Sequence, residues 1–250
     1  MNKLTGVSNV HCRIKGLVHQ VVRAASAHAF ALIISVVWFS LSVSGAHAAS
    51  CTGDALVNVT LPSGAQWELC WELRDEEGVV IKEAAYKTPQ GSFRNVLKEA
   101  SLAQINVAYD DGTPSQRHVT DIANGGGLGL NIHSLSPLDC IDGSLHASAG
   151  NTVLCVKTKP RGYAYKSYAL LEQGHMLVLE SRATVGLSSY IIHWRLYDDG
   201  SIEPSVGLTG LLPKIGSDPN YGWPLDQNNR VGVAFNTSYF WRLDFDLAAD

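Results

Sequence analysis

Charged residues are scarce: Asp, Glu, Lys and Arg make up 17% of the 250 positions, and residues 1–48 contain no acid at all. That first stretch holds four bases, Lys3, Arg13, Lys15 and Arg23; setting them aside leaves 15 bases against 23 acids, a net charge of −8. Nucleic-acid binding needs clustered Lys and Arg to displace counterions, so an acidic body excludes nucleic acid as a partner. No CxxC pair is present, which excludes a zinc ribbon or a thioredoxin-type site. The histidines after residue 48 (His118, His133, His146, His175 and His193) form neither HxH nor HExxH, so a metal site would have to be assembled by folding alone. Ser188-Ser189 lacks the GxSxG elbow of a hydrolase nucleophile. Gly125-Gly126-Gly127-Leu128-Gly129 is not followed by Lys-Ser or Lys-Thr, so it reads as a flexible turn rather than a phosphate loop. What is present is ordinary for a folded globular protein: 46% apolar residues and a length that suits one large domain or two small ones.

The N-terminal bases precede an apolar run, Phe30 to Val43, and the small residues Ala46-His47-Ala48, the order of an export signal. Residues 1–48 are therefore expected to be a signal peptide, with the mature chain starting near Ala49 and located in the periplasm or secreted. A retained membrane anchor is the weaker reading, since the run is shorter than the ~20 residues of a spanning helix. A lipid on Cys51 is a further alternative. The exported part keeps four cysteines, Cys51, Cys70, Cys140 and Cys155, which allow three pairings in an oxidising compartment. Pairing neighbours, Cys51 with Cys70 and Cys140 with Cys155, closes short loops of comparable length and is preferred.

Short apolar and aromatic runs broken by Gly, Pro, Asp and Asn predict an all-β protein. Candidate strands are Gln66 to Leu73, Gly78 to Tyr86, Gln104 to Tyr109, Thr152 to Lys157, His175 to Ser181, Tyr190 to Tyr197, Ile202 to Gly207, Arg230 to Phe235 and Tyr239 to Asp246. Alternation such as Trp67, Leu69, Trp71, Leu73 turns one face inward and leaves the other wet. Asp111-Gly112, Asp199-Gly200 and Tyr221-Gly222 are expected to join runs of opposite sense. Asn95 to Ala103 alone has a helical look. With no repeat, heptad or linker, the residues from 49 to 250 are expected to form one body.

Several segments between Trp67 and Asp246 together resemble the catalytic domain of copper-dependent, quinone-containing amine oxidases. They are Glu77-Gly78-Val79-Val80 with Arg94, Val96-Leu97, Ala100-Ser101-Leu102 and Val107-Ala108-Tyr109; Asp121 with Gly127-Leu128-Gly129, His133-Ser134-Leu135 and Asp139-Cys140; Arg182-Ala183-Thr184-Val185-Gly186 with Tyr190, Asp199-Gly200-Ser201-Ile202-Glu203 and Leu208-Thr209-Gly210; and Tyr221-Gly222 with Arg242-Leu243-Asp244. No block is specific by itself; their order and spacing carry the likeness. The resemblance implies an antiparallel β sandwich that dimerises and a disulfide between Cys140 and Cys155.

The family oxidises primary amines with a quinone made from its own tyrosine, beside a copper held by an HxH pair and a later histidine. The resemblance sets Ser188 at the quinone-precursor position and Leu187 at the asparagine before it, and serine cannot become a quinone. It sets Phe235 and Thr237 at the HxH positions, and the sequence reaches Asp250 before the region of the third histidine. Asp121 falls at the place of the family's general base and Tyr109 at that of the tyrosine that orients the cofactor. The plain alternative for each is structural, Asp121 starting a turn and Tyr109 ending a strand. Asn124 replaces the glutamate that follows the base.

The expectation is therefore a truncated, non-catalytic amine-oxidase-like sandwich with no copper or quinone of its own, acting as a binding or partner module. A cleft around Asp121 would attract a primary ammonium group. The alternative is one subunit of a split oxidase, in which a partner chain covers the open sandwich and supplies copper and quinone. A homodimer, or a decayed fragment, completes the set.

Overall fold

The structure, a computed structural model, describes residues 49–246 with 114 and 227 excepted; the expected signal peptide lies outside the described residues. The chain runs through β1 (Leu56–Thr60), β2 (Gln66–Arg74), β3 (Gly78–Lys87), β4 (Arg94–Asp110), β5 (Gln116–His118), β6 (Gly143–Ser148), β7 (Asn151–Lys166), β8 (Leu171–Val185), β9 (Ser188–Tyr197), β10 (Ile202–Gly210), β11 (Ile215–Gly216), β12 (Trp223–Pro224), β13 (Val231–Gly232) and β14 (Ala234–Phe245). One antiparallel sheet has the order β1-β2-β3-β4-β14, with β5 also paired to β4; the second has the order β10-β9-β8-β7-β6.

The two sheets form an all-β sandwich because each turns an apolar face to the same core. Trp67, Leu69, Ile81, Leu102 and Ile105 of the first sheet and Leu154, Leu177, Leu179, Trp194 and Leu196 of the second are almost wholly buried in one cluster. Two polar bonds tie the layers: the Trp67 indole donates to the Tyr197 carbonyl at 2.9 Å, and the Tyr86 hydroxyl donates to the Asp198 carbonyl at 2.8 Å. Disulfides join Cys51 to Cys70 and Cys140 to Cys155, the neighbour pairing. Each draws a loop segment onto a strand, Cys51 onto β2 and Cys140 onto β7.

Three local expectations are corrected. Asn95 to Ala103 is not helical but the first part of β4, which pairs with both β3 and β14. Register shifts against β14 fall beside Lys98 and Ala103, so the buried apolar positions run Leu97, Ala100, Leu102, Ile105, Val107. Two bulges thus turn a period of two into steps of three and two, which imitate a helix in the sequence. Tyr221-Gly222 does not join runs of opposite sense, because β11 and β12 flank β13 and are each antiparallel to it. The second face of β2 is wet only toward its end at Glu72: Cys70 is 5% exposed, and Glu68 accepts from Asn58 and from the backbone N–H of Ala49.

Several strands extend beyond their expected bounds. β7 and β8 run on past the sandwich as a hairpin that leaves Tyr163, Tyr165 and Tyr168 exposed. Asp111-Gly112 and Asp199-Gly200 do turn β4 into β5 and β9 into β10.

Candidate functional site

Ser188 opens β9 directly after the turn at Gly186-Leu187, where the positive φ of Gly186 (66°) lets the chain reverse. Phe235 and Thr237 lie two apart near the start of β14, and Tyr109 is the residue opposite Phe235 on β4. Strand alternation gives Ser188 and Tyr190 a common face, as it does Phe235 and Thr237. The result is that Ser188, the Phe235–Thr237 pair and Tyr109, from three distant parts of the chain, line one cavity of about 10 Å³ together with Tyr190 and Arg117. That volume is about one water molecule. Val107, Val185, Leu208 and Pro213 complete an apolar wall.

The side chains present do not fit a copper ion: Phe235 and Thr237, the positions the sequence resemblance aligns with the family's imidazoles, offer a phenyl ring and a hydroxyl, and copper in such a centre wants imidazole donors. Nor do the histidines meet elsewhere. His146 bonds the Asp54 carbonyl and Ser144, His193 reaches Glu180 at 3.5 Å, His118 pairs with Gln104, His133 is exposed, and His175 stands by β9's end. Among the described residues no group of three His, Cys, Asp or Glu side chains could hold a metal ion.

Tyr190, which the sequence offered only within the resemblance, lines the cavity, and Lys214 lies beside the Tyr109 ring that forms part of its wall. Burial pushes the Tyr190 phenol up to about 12, so it stays protonated at neutral pH, and it shares a hydrogen bond with Ser188. Lys214 lies over the Tyr109 ring, 5.3 Å from its centroid, and is bonded to Asp111 and, at 3.1 Å, to Ser115. The Lys214 ammonium holds the Asp111 carboxyl far below the usual carboxylate range. The i, i+2 pairing of Ser188 with Tyr190 was a legible signal for the phenol; Arg117 and Lys214 read in sequence as ordinary solvated bases.

Asp121 belongs to a different place. It precedes the 3-10 turn Ile122–Asn124 and caps it, accepting from the Ala123 backbone N–H at 2.9 Å and from the Asn124 amide. Gly126 must be glycine here, since a Cβ would come within 2.3 Å of the Val119 carbonyl oxygen. Asp121 lines an open cleft of about 570 Å³ with Glu76, Gln104, His118, Thr120 and Phe240, and none of the cavity-lining residues above is shared with it. The structure thus unites Tyr109 with the Ser188, Phe235 and Thr237 positions and leaves Asp121 outside that group.

Comparison with known proteins gives this arrangement its context. Residues 63–247 match the family described as "Copper amine oxidase, enzyme domain". A primary amine oxidase of Arthrobacter sp. (strain P1) is 27% identical over 228 residues, covering 76% of this chain and 35% of its own. A primary amine oxidase of Pisum sativum is 26% identical, covering 74% and 32%. The chain thus spans about a third of the length of these relatives. Among solved structures, the lysyl oxidase PPLO of Pichia pastoris superposes with a TM-score of 0.56 at 16% identity, over 73% of this chain and 27% of that one.

Proposed function

Given that the chain belongs to the copper amine oxidase enzyme-domain family, we propose that it is an exported, non-catalytic member that works as a binding or partner module. One observation carries this reading: Ser188, Phe235 and Thr237 converge on a single cavity of about 10 Å³. The positions that define the family's chemistry stay together in space, while their side chains offer neither a phenol to oxidise nor an imidazole to bind metal. Hydroxyls of Ser188 and Thr237 remain, and apolar groups fill the rest.

The ligand we assign to it is a primary ammonium compound at the Asp121 cleft. Asp121 and Glu76 supply negative charge there, and Phe240, 51% exposed, supplies an aromatic surface for a cation. Export is supported by the two disulfides, which persist in oxidising compartments. The Cys51 sulfur is engaged with Cys70, which argues for a signal-peptidase product rather than a lipid-anchored one. The test is calorimetric titration of the purified chain with aliphatic and aromatic primary amines, beside an assay for peroxide release with added copper in air. Saturable heat that Asp121→Asn removes, with no peroxide, is the expected result; peroxide release would overturn the non-catalytic reading, and absence of heat the amine ligand.

A second reading is favoured by the sheet edge. β14 pairs with β4 on one side and with no strand on the other among the described residues, and it exposes Phe235, Phe240, Leu243 and Phe245. An open edge with apolar side chains is a template for another chain. In this reading the protein is one subunit of a split oxidase whose partner brings copper and quinone. Purification from the native host with a copper-containing partner, and amine oxidation by the pair, would establish it.

A further inference from the structure

The cavity at Ser188 contains a positive charge with no counter-charge. Arg117 on β5 is half-buried and makes no hydrogen bond or ion pair with another described residue. By contrast Arg74, Arg161, Arg182, Arg195, Arg230 and Arg242 each lie within 4 Å of a carboxylate. The Arg117 guanidinium lies over the β8–β9 turn at Gly186, where a Cβ would come within 2.3 Å of Nη1 and 3.0 Å of Cζ and Nη2. Glycine therefore serves twice, for the positive φ of the turn and for the close approach of the arginine.

Hydroxyls converge on the same space. Thr237 Oγ1 is buried without a partner, and Ser188 is 7% exposed. Tyr109 and Tyr190 add two phenols to the lining, and the nearby ammonium of Lys214 is already neutralised by Asp111. A half-buried guanidinium without an anion, beside hydroxyl donors, is a ready partner for a negative group.

We propose that this cavity is a binding site for the carboxylate of a small organic acid, with Arg117 as the fork that receives it and Thr237 and Ser188 as the donors that complete it. A planar guanidinium matches a carboxylate with two parallel N–H···O bonds. The enclosed space of about 10 Å³ holds one water-sized atom, so a single carboxylate oxygen enters and the other oxygen, with the rest of the molecule, stays at the mouth. Leu208, Pro213 and Phe235 make that mouth apolar, which selects a monocarboxylate with an apolar body over a hydrophilic oxyanion. The site is independent of the amine reading at Asp121: the fixed charge here is a side-chain cation, and the guest an anion.

The test is titration of the full chain at constant ionic strength with sodium benzoate, sodium acetate and inorganic phosphate. Saturable binding of benzoate, weaker binding of acetate and none of phosphate are expected. Arg117→Gln should weaken benzoate roughly 10- to 100-fold, the loss expected for hydrogen bonds to a charged group; Arg117→Lys should retain part of the affinity, and Thr237→Val should cost less than Arg117→Gln. A readout in the unaltered chain guards against a variant that fails to fold: benzoate should delay ionisation of the Tyr190 phenol, followed by phenolate absorbance. Equal responses to all three anions, equal binding by the unaltered chain and Arg117→Gln, an unmoved phenolate titration, or no saturable binding would each overturn the proposal, the last leaving a single bridging water as the occupant.

Discussion

Glu180 is 7% exposed, and Lys157, Arg182 and His193 all face it. The hydrogen bond from His193, followed by those from Lys157 and Arg182, outweighs burial and holds the Glu180 carboxyl far below its usual range. Its folded pKa lies below the unfolded value, so its contribution to stability is complete above about pH 4.5 and is lost as the pH falls from there. Acid denaturation followed by circular dichroism should show this loss, and Glu180→Gln should flatten the curve between about pH 4.5 and lower values. At neutral pH the same variant leaves the Lys157 ammonium, whose side chain is 10% exposed, without its partner. A loss of roughly 3–5 kcal/mol by urea unfolding follows. Tyr190 behaves in the opposite sense: burial raises it to about 12, so the stability tied to its neutral form holds below the usual value near 10 and is lost as the pH rises through 12. A phenolate titration at high pH should show several late-ionising groups, since burial also raises Tyr86, Tyr197 and Tyr239, and Tyr190→Phe should remove the one near 12.

Among the elements, the hairpins and the central strands were legible because alternation and Asp-Gly turns are local signals. β2, β3, β9 and β10 start or end within a few residues of their expected bounds. β4 was misread because its two bulges break the alternation that identifies a strand, and only pairing with β3 and β14 restores the sense of Leu97, Ala100 and Leu102. β1 and β6 escaped notice for a different reason: each is a short edge strand, β1 only five residues with Val57 and Val59 on its core face, and β6 without a strongly apolar face. The disulfides are expected to matter more than their number implies. Cys140–Cys155 closes a loop of 15 residues beside β6, and replacing both cysteines with serine should lower unfolding stability by about 3 kcal/mol. Amide exchange should then accelerate first in β6, the outermost strand of its sheet, if the bond is what secures that edge.

For the molecule as a whole, the resemblance in sequence located the positions of the cavity, and folding supplied what sequence could not, their convergence. Ser188, Phe235, Thr237 and Tyr109 lie on three strands from both sheets, so no local pattern could place them at one point. Arg117 was invisible for the same reason, since a base in a three-residue strand is ordinarily a solvated charge. Asp121 shows the converse: the resemblance sets it at the family's base position, yet its oxygens cap a turn and it lines a separate cleft. The sandwich of the family's enzyme domain is thus present, and the cavity at these positions is lined by hydroxyl, aromatic and aliphatic side chains with Arg117.

The central claim is that this centre carries neither copper nor a tyrosine-derived quinone. The most direct measurement is metal content by mass spectrometry with a visible absorption spectrum, on protein purified from its native host and again after exposure to copper(II) in air. The account predicts a colourless, folded chain with far less than one copper per molecule in both samples. Copper near one per chain together with a quinone band would contradict it.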